Sequence, residues 1–303
     1  VADLHIKIAG VDFRNPVIAA SGTFGFGHEF SEFYPLSELG GICCKGITLE
    51  KRPGNPPPRI AETPSGMLNS VGLQNPGVDH FIREDLPWLK RQGTVVIANI
   101  AGNTPEDYCR TAEKLSDTSV DMIELNISCP NVKQGGVQFG TTCKGAETVT
   151  SAVRKVCRKP LMVKLSPNAS DIAEIAAAAE SAGADALSLI NTLTGMRIDI
   201  HSRRPVLHNN TGGLSGPAVF PVAVRMVWQV SRRVKIPVVG MGGVSSWQDA
   251  AELMLAGASA VQVGTVLFSD PYAPLKIVNG LNRYLDENRI ADVSELTGKV
   301  KPW

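Results

Sequence analysis

Pro237-Val238-Val239-Gly240-Met241-Gly242-Gly243-Val244 and, sixteen positions further on, Ala260-Val261-Gln262-Val263-Gly264-Thr265 are two apolar runs that each break into glycine. Neither alternates strictly, as expected of parallel strands buried on both faces. Between them, Ser246-Trp247-Gln248-Asp249 has the pattern of a helix start and Gly257 that of its end. Strand, glycine turn, helix and strand make a βα unit, closed by a second glycine turn. Glycine at such a strand end lets backbone N–H groups approach an anion, and a following helix adds a favourable dipole. The same glycines also suit tight turns with no ligand.

Six earlier runs have the same form. Residues 17–21 end at Ser21, 42–45 at Lys45, and 95–99 at Asn99. Residues 122–129 end in Asn126, Ser128 and Cys129, 161–164 in Lys164, and 186–192 in Asn191 and Thr192. With 236–243 and 260–265 they number eight, and helical patterns alternate with them. Thr104-Pro105-Glu106-Asp107 and Asp171-Ile172-Ala173-Glu174 mark two further helix starts. The pattern predicts an α/β fold, a (β/α)8 TIM barrel, with residues 1–303 as a single domain. A barrel of about 250 residues plus insertions matches the length. Residues 1–15 form an extra N-terminal segment, and a closing helix follows Pro274. Two loops, 50–78 and 130–142, interrupt the scheme at strand ends. Long loops in compact domains are usually functional. Barrel active sites lie at the carboxyl ends of the strands, so the polar run ends read as one active-site lining.

The 303 residues are 43% hydrophobic and 19% charged, with a net charge of +1. That balance fits a globular enzyme and gives no electrostatic case for nucleic acid or an anionic membrane. No apolar run is long enough to cross a bilayer, and no signal peptide is evident. The six cysteines form no C-x-x-C pair, which predicts reduced thiols in the cytoplasm rather than disulfides or an iron–sulfur site. The five histidines show no metal-ligand spacing and no Ser-His-Asp signature is present, so no metal is expected.

A lysine aimed into a barrel mouth is costly unless it meets an anion. Lys45 and Lys164 beside a phosphate site suit an electron-rich ligand such as a reduced flavin, although a structural salt bridge would also account for either. Asn69, Asn99, Asn126 and Asn191 suit a heterocycle with alternating donors and acceptors, while single asparagines also cap and turn. Cys129, in Asn126-Ile127-Ser128-Cys129-Pro130-Asn131, stands at a strand end before a polar loop. An inert buried thiol is the alternative for it, and the reading retained for Cys43 and Cys44.

Together these residues resemble the class 1 dihydroorotate dehydrogenases over nearly the whole chain. The similarity lies in Ser21-Gly22-Thr23-Phe24-Gly25, Lys45-Gly46, Asn69-Ser70-Val71-Gly72-Leu73-Gln74-Asn75, Asn126 to Asn131, Ile190-Asn191-Thr192, Gly213-Leu214-Ser215-Gly216 and the glycine pairs. Gly195-Met196-Arg197-Ile198-Asp199 and Asn131-Val132-Lys133-Gln134-Gly135-Gly136 are similar to the NAD-linked, two-subunit type. The resemblance implies FMN, its phosphate on Gly242, Gly243, Gly264 and Thr265 with Gly216 nearby. Ser21, Lys45, Gly46, Asn99, Asn126, Lys164 and Ile190 would line the rest of it. It implies dihydroorotate against Lys45, Asn69, Ser70, Val71, Gly72, Leu73, Asn126, Asn191 and Thr192. Cys129 would be the base that removes the C5 proton while C6 gives hydride to the flavin. A thiol, with an ordinary pKa of about 8.5, suits that task. Thr141-Thr142-Cys143-Lys144 departs from the family pattern, in which an acidic residue and proline are expected.

The resemblance further implies a homodimer core within a heterotetramer, partnered by an electron-transfer subunit carrying FAD and a [2Fe–2S] cluster. This chain has no second dinucleotide fingerprint of its own. Three other readings stay open on residues alone. They are a fumarate-linked homodimeric relative, a flavin-free barrel acting on a sugar phosphate, and a module that only holds FMN.

Overall fold

In the computed structural model, which describes residues 2–128 and 139–303, the unalternating apolar runs are strands with both faces covered. They are β1 (Val17–Ala19), β2 (Gly41–Cys43), β3 (Val95–Ile100), β4 (Met122–Asn126), β5 (Leu161–Lys164), β6 (Ala186–Leu189), β7 (Val238–Met241) and β8 (Ala260–Val263). They pair in parallel and in chain order, and β8 returns to β1 with Val263 opposite Ala19, so the barrel closes. Closure leaves no free sheet edge. Interior positions must then be filled by side chains.

The helices outside are α1 (Leu86–Lys90), α2 (Pro105–Ser116), α3 (Cys143–Val156), α4 (Ile172–Ser181), α5 (Phe220–Ser231), α6 (Trp247–Ala256) and α7 (Ala273–Glu287). Their starts follow local chemistry. The Thr104 hydroxyl accepts from the Asp107 N–H while the Asp107 carboxylate accepts from the Thr104 N–H, and Pro105 fills the first turn of α2. Ser246 and Asp249 do the same for α6, and Asp171 caps α4. Such caps contribute about 1 kcal/mol each.

The first crossover departs from the eightfold repeat. Between β1 and β2 there are only short turns, Ser21–Phe24, Phe30–Glu32 and Leu36–Glu38. Gly22, Gly25, Gly27 and Pro35 leave no helix longer than a single turn there. A Phe24–Phe30 ring stack at 4.3 Å supplies the packing instead. The N-terminal segment is a hairpin, Ile6–Ile8 against Val11–Phe13, turned through Gly10 at φ 85°. The Phe13 ring lies against Gly41 at the amino end of β2, where an added Cβ would meet it at 3.1 Å. The hairpin therefore abuts the amino-terminal rim of the barrel, opposite the candidate site.

At the other end, residues 50–78 are less irregular than their proline and glycine content predicts. They contribute Ile60–Thr63 and Gly66–Asn69 to an antiparallel four-stranded sheet with Gly212–Ser215 and Leu193–Gly195. This sheet roofs the carboxyl ends of the strands. Asn75 ties the base of the segment. Its Oδ1 accepts from the N–H groups of Thr48 and Gly77 at 3.1 and 2.9 Å, and its Nδ2 donates to Thr48 Oγ1 and the Leu73 carbonyl.

Candidate active site

Barrel ends and roof enclose a cleft of about 1200 Å³, its mouth included. Ser21, Lys45, Gly46, Asn99, Asn126, Lys164, Ile190, Gly242, Gly243, Gly264 and Thr265 lie on its walls. So do Asn69, Val71, Gly72, Leu73, Asn191 and Thr192. Two predicted residues stand just behind the wall. Ser70 is fully buried with its hydroxyl unpartnered, and Gly216 backs onto Gly243. Cys129 and most of the loop after it lie outside the described residues.

The glycine wall is built for its shape. Gly242 and Gly243 hold φ of 121° and 79°, the left-handed region that penalises side chains. A Cβ on Gly243 would stand 2.7 Å from the Gly216 carbonyl oxygen. Gly264 is different: an added Cβ would come no closer than 3.5 Å to any atom. Packing does not demand glycine there, so its bareness leaves room in the cleft. Among the described residues, the N–H groups of Gly243 and Gly264 have no protein acceptor. Free backbone donors beside an open wall suit a phosphate.

The polar floor is a chain of hydrogen bonds. Glu124, on β4 and fully buried in the barrel interior, accepts from Asn99 Nδ2 at 2.5 Å, Ser188 Oγ at 2.8 Å, Gln262 Nε2 at 2.8 Å and Cys43 Sγ at 3.2 Å. Lys164 Nζ lies 3.7 Å from the same carboxylate, and the lysine side chain is 6% exposed. Burial pushes the Glu124 pKa up, but the Lys164 ammonium and the hydrogen bonds from Ser188, Gln262 and Cys43 outweigh it, so the carboxyl is held below its usual range. From Asn99 the chain continues through Asn126 Nδ2 to Asn99 Oδ1 (3.3 Å), Ser128 Oγ to Asn126 Oδ1 (2.9 Å) and Asn191 Nδ2 to Ser128 Oγ (2.8 Å). Three of the four predicted asparagines thus form one linked row. Asn69 faces them from the roof, its Nδ2 3.4 Å from the Gly213 carbonyl. Asn168, which the sequence did not single out, donates to the Thr192 carbonyl at 2.9 Å and holds that strand end.

Glu124 and Gln262 were missed for a plain reason: each is one polar letter inside an apolar run. That letter was also the available signal, because a charge or amide in a fully buried strand needs a partner. Gln262 lines the cleft, and its Oε1 is buried without a hydrogen-bond partner. The neighbouring thiols are unreactive by environment. Burial, with Glu124 nearby, pushes the Cys43 thiol pKa well up, and burial does the same for Cys44.

A cleft with a bare glycine wall, two lysines and a row of carboxamides is suited to an anionic heterocycle and a phosphate together. Comparison with known proteins agrees with that chemistry. The model of the family described as dihydroorotate dehydrogenase matches residues 3–285. The chain belongs to the dihydroorotate dehydrogenase family. Several relatives are named the catalytic subunit of dihydroorotate dehydrogenase B (NAD(+)). The one from Alkaliphilus oremlandii is 56% identical over 298 residues, 98% of this chain and 99% of the relative. Those from Geotalea uraniireducens and Bacteroides thetaiotaomicron are 57% and 54% identical, each across at least 98% of both chains. Among solved structures, DHODH from Eimeria tenella, in complex with ferulenol, superposes with a TM-score of 0.83. It covers 98% of this chain and 88% of its own at 23% identity, a likeness of fold. No helix among the described residues is long and apolar enough to cross a membrane.

Proposed function

We propose that this chain, as one FMN-binding barrel domain, oxidises (S)-dihydroorotate to orotate in pyrimidine biosynthesis and passes the electrons to NAD through a partner subunit. The observation that carries the proposal is the convergence of Lys45, Lys164 and the Asn99–Asn126–Asn191 row on one cleft beside the Gly242–Gly243 and Gly264–Thr265 wall. The residues fit FMN: free N–H donors meet its phosphate, Gly216 supports them from behind, and Gln262 Oε1 awaits a donor. Ser21, Gly46, Asn99, Asn126, Lys164 and Ile190 surround the ring. Bound FMN supplies the acceptor for the hydride that leaves C6.

The protein's own groups do the rest. Lys45 pairs with the substrate carboxylate. Asn126, Asn191 and Thr192 from the floor, with Asn69 and residues 70–73 from the roof, read the pyrimidine edges. Enclosure between floor and roof keeps water from competing for the proton. Cys129 follows Ser128 directly in the chain, and Ser128 is anchored to Asn126 and Asn191. Cys129 takes the C5 proton as hydride departs from C6, which balances the conversion to orotate.

The electron exit is assigned to a second subunit carrying FAD and a [2Fe–2S] cluster, in a heterotetramer built on a dimer of this chain. The names of the relatives, NAD-linked and "catalytic subunit", support a partner. Five described cysteines are free thiols, in keeping with a cytoplasmic location.

The test is anaerobic mixing of the purified yellow chain with dihydroorotate. The flavin absorbance bleaches, and the isolated chain reduces dyes but not NAD. A colourless protein, or a yellow one that dihydroorotate leaves unbleached, defeats the proposal. Fast turnover with fumarate, or NAD reduction by the chain alone, defeats the two-subunit assignment. Cys129→Ala keeps FMN and slows bleaching by about 10²–10⁴-fold, the usual range for loss of a general base. Bleaching within threefold of wild type removes Cys129 from that role.

A further inference from the structure

Glu124 is the only carboxylate among the described residues that is fully buried. Glu124 is not itself on the cleft wall, yet three residues that line the cleft, Asn99, Lys164 and Gln262, are bound to it. A buried charge is retained only where partners offset its desolvation. Here the partners come from five different strands: Cys43 on β2, Asn99 on β3, Lys164 on β5, Ser188 on β6 and Gln262 on β8. Four of them donate hydrogen bonds to the carboxylate, and the Lys164 ammonium pairs with it at 3.7 Å. Asn99 is thereby fixed with Nδ2 inward and Oδ1 free to accept from Asn126. Gln262 is fixed with Nε2 inward, which leaves Oε1 as the unpartnered acceptor.

Resting on the FMN assignment above, we propose that Glu124 is the positioning residue of the flavin site. It orients Asn99 and Gln262, and its charge partly cancels that of Lys164, so the field at the flavin is set by the pair and not by the lysine alone. A positive charge beside the ring favours the reduced, anionic form, and a negative one opposes it. The pair therefore holds the flavin at an intermediate affinity for electrons, able to take hydride and to give it up again.

The experiment is a redox titration of the FMN-loaded chain with three variants. Lys164→Met leaves the carboxylate uncompensated. At a fixed potential its ratio of reduced to oxidised flavin falls at least tenfold, about 30 mV for a two-electron couple. Glu124→Gln leaves the lysine uncompensated and moves the ratio at least tenfold the other way. The neutral pair Glu124→Met with Lys164→Met returns the ratio to within about threefold of wild type. Charge-neutral replacement of a buried pair is often tolerated, so this comparison stands even where Glu124→Gln alone does not fold. A merely structural Glu124 would give a double variant that titrates like Lys164→Met, and that result overturns the proposal. So does an unshifted Glu124→Gln. A wild-type chain that binds no FMN defeats the cofactor assignment instead, before any variant is compared.

Discussion

Replacing Gly264 and Gly243 by alanine separates what the fold needs from what the ligand needs. At Gly243 the backbone has φ 79°, and an added Cβ would stand 2.7 Å from the Gly216 carbonyl oxygen and 2.9 Å from Phe220 Cβ. A left-handed backbone costs an L-residue about 1–2 kcal/mol, and overpacking against atoms that cannot give adds about 1–3 kcal/mol. Gly243→Ala thus destabilises the flavin-free chain by about 2–5 kcal/mol. At Gly264 the nearest atoms to an added Cβ are Ala20 Cβ at 3.5 Å and the Thr23 side chain at 3.8 Å, ordinary contacts. Gly264→Ala meets no steric obstacle, so it destabilises the flavin-free chain less than Gly243→Ala does. The new methyl nonetheless occupies the cleft, and FMN affinity drops at least tenfold, about 1.4 kcal/mol. Urea unfolding of the flavin-free chains gives the first quantity, and quenching of flavin fluorescence on binding gives the second. A Gly264→Ala chain of unchanged stability that binds FMN as tightly as wild type would refute the placement of the cofactor on this wall.

Three further outcomes follow from the same geometry. Asn75→Ala removes four buried side-chain hydrogen bonds at the base of the roof; at about 1 kcal/mol net each it costs about 2–4 kcal/mol, and amide exchange quickens across residues 48–77, whereas exchange unchanged in that segment counts against Asn75 as its anchor. Brief alkylation at pH 8, read by mass spectrometry of the peptides, labels exposed Cys143 and spares buried Cys43, Cys44 and Cys157, whose thiol pKa values burial raises; early labelling of Cys43 would contradict a closed barrel interior. Because the Glu124 pKa is lowered in the folded state, its ionisation contributes stability that is fully present above the ordinary value of 4.5 and is lost as pH falls through the folded value. The difference in urea midpoint between wild type and Glu124→Gln is therefore full at pH 7 and narrows below pH 4.5, and a gap that stays constant to pH 3 means folding does not lower the Glu124 pKa.

The parts that local chemistry decides were legible in the sequence. The β7 and β8 runs with their glycines carry strand, turn and open wall in a dozen letters, and Thr104, Asp171 and Ser246 announce their helices. The roof was not legible, because Gly66–Asn69 finds its partner in Gly212–Ser215, far along the chain. Its strands are short and half exposed, and no local pattern separates them from a proline-rich loop. The missing helix of the first crossover was a failure of analogy between units: the run of glycines after Ser21 argued against a helix there, and the eightfold repeat argued for one. Glu124 shows the deeper limit. Its place in Met122–Asn126 marks it as buried, but not against what. Only closure brings β8 and β2 to face β4 across the interior, giving one carboxylate partners from five strands. A barrel's polar interior is a property of the closed ring, so the residues that tune a site from beneath are written one per strand. They become a group only when the last strand pairs with the first.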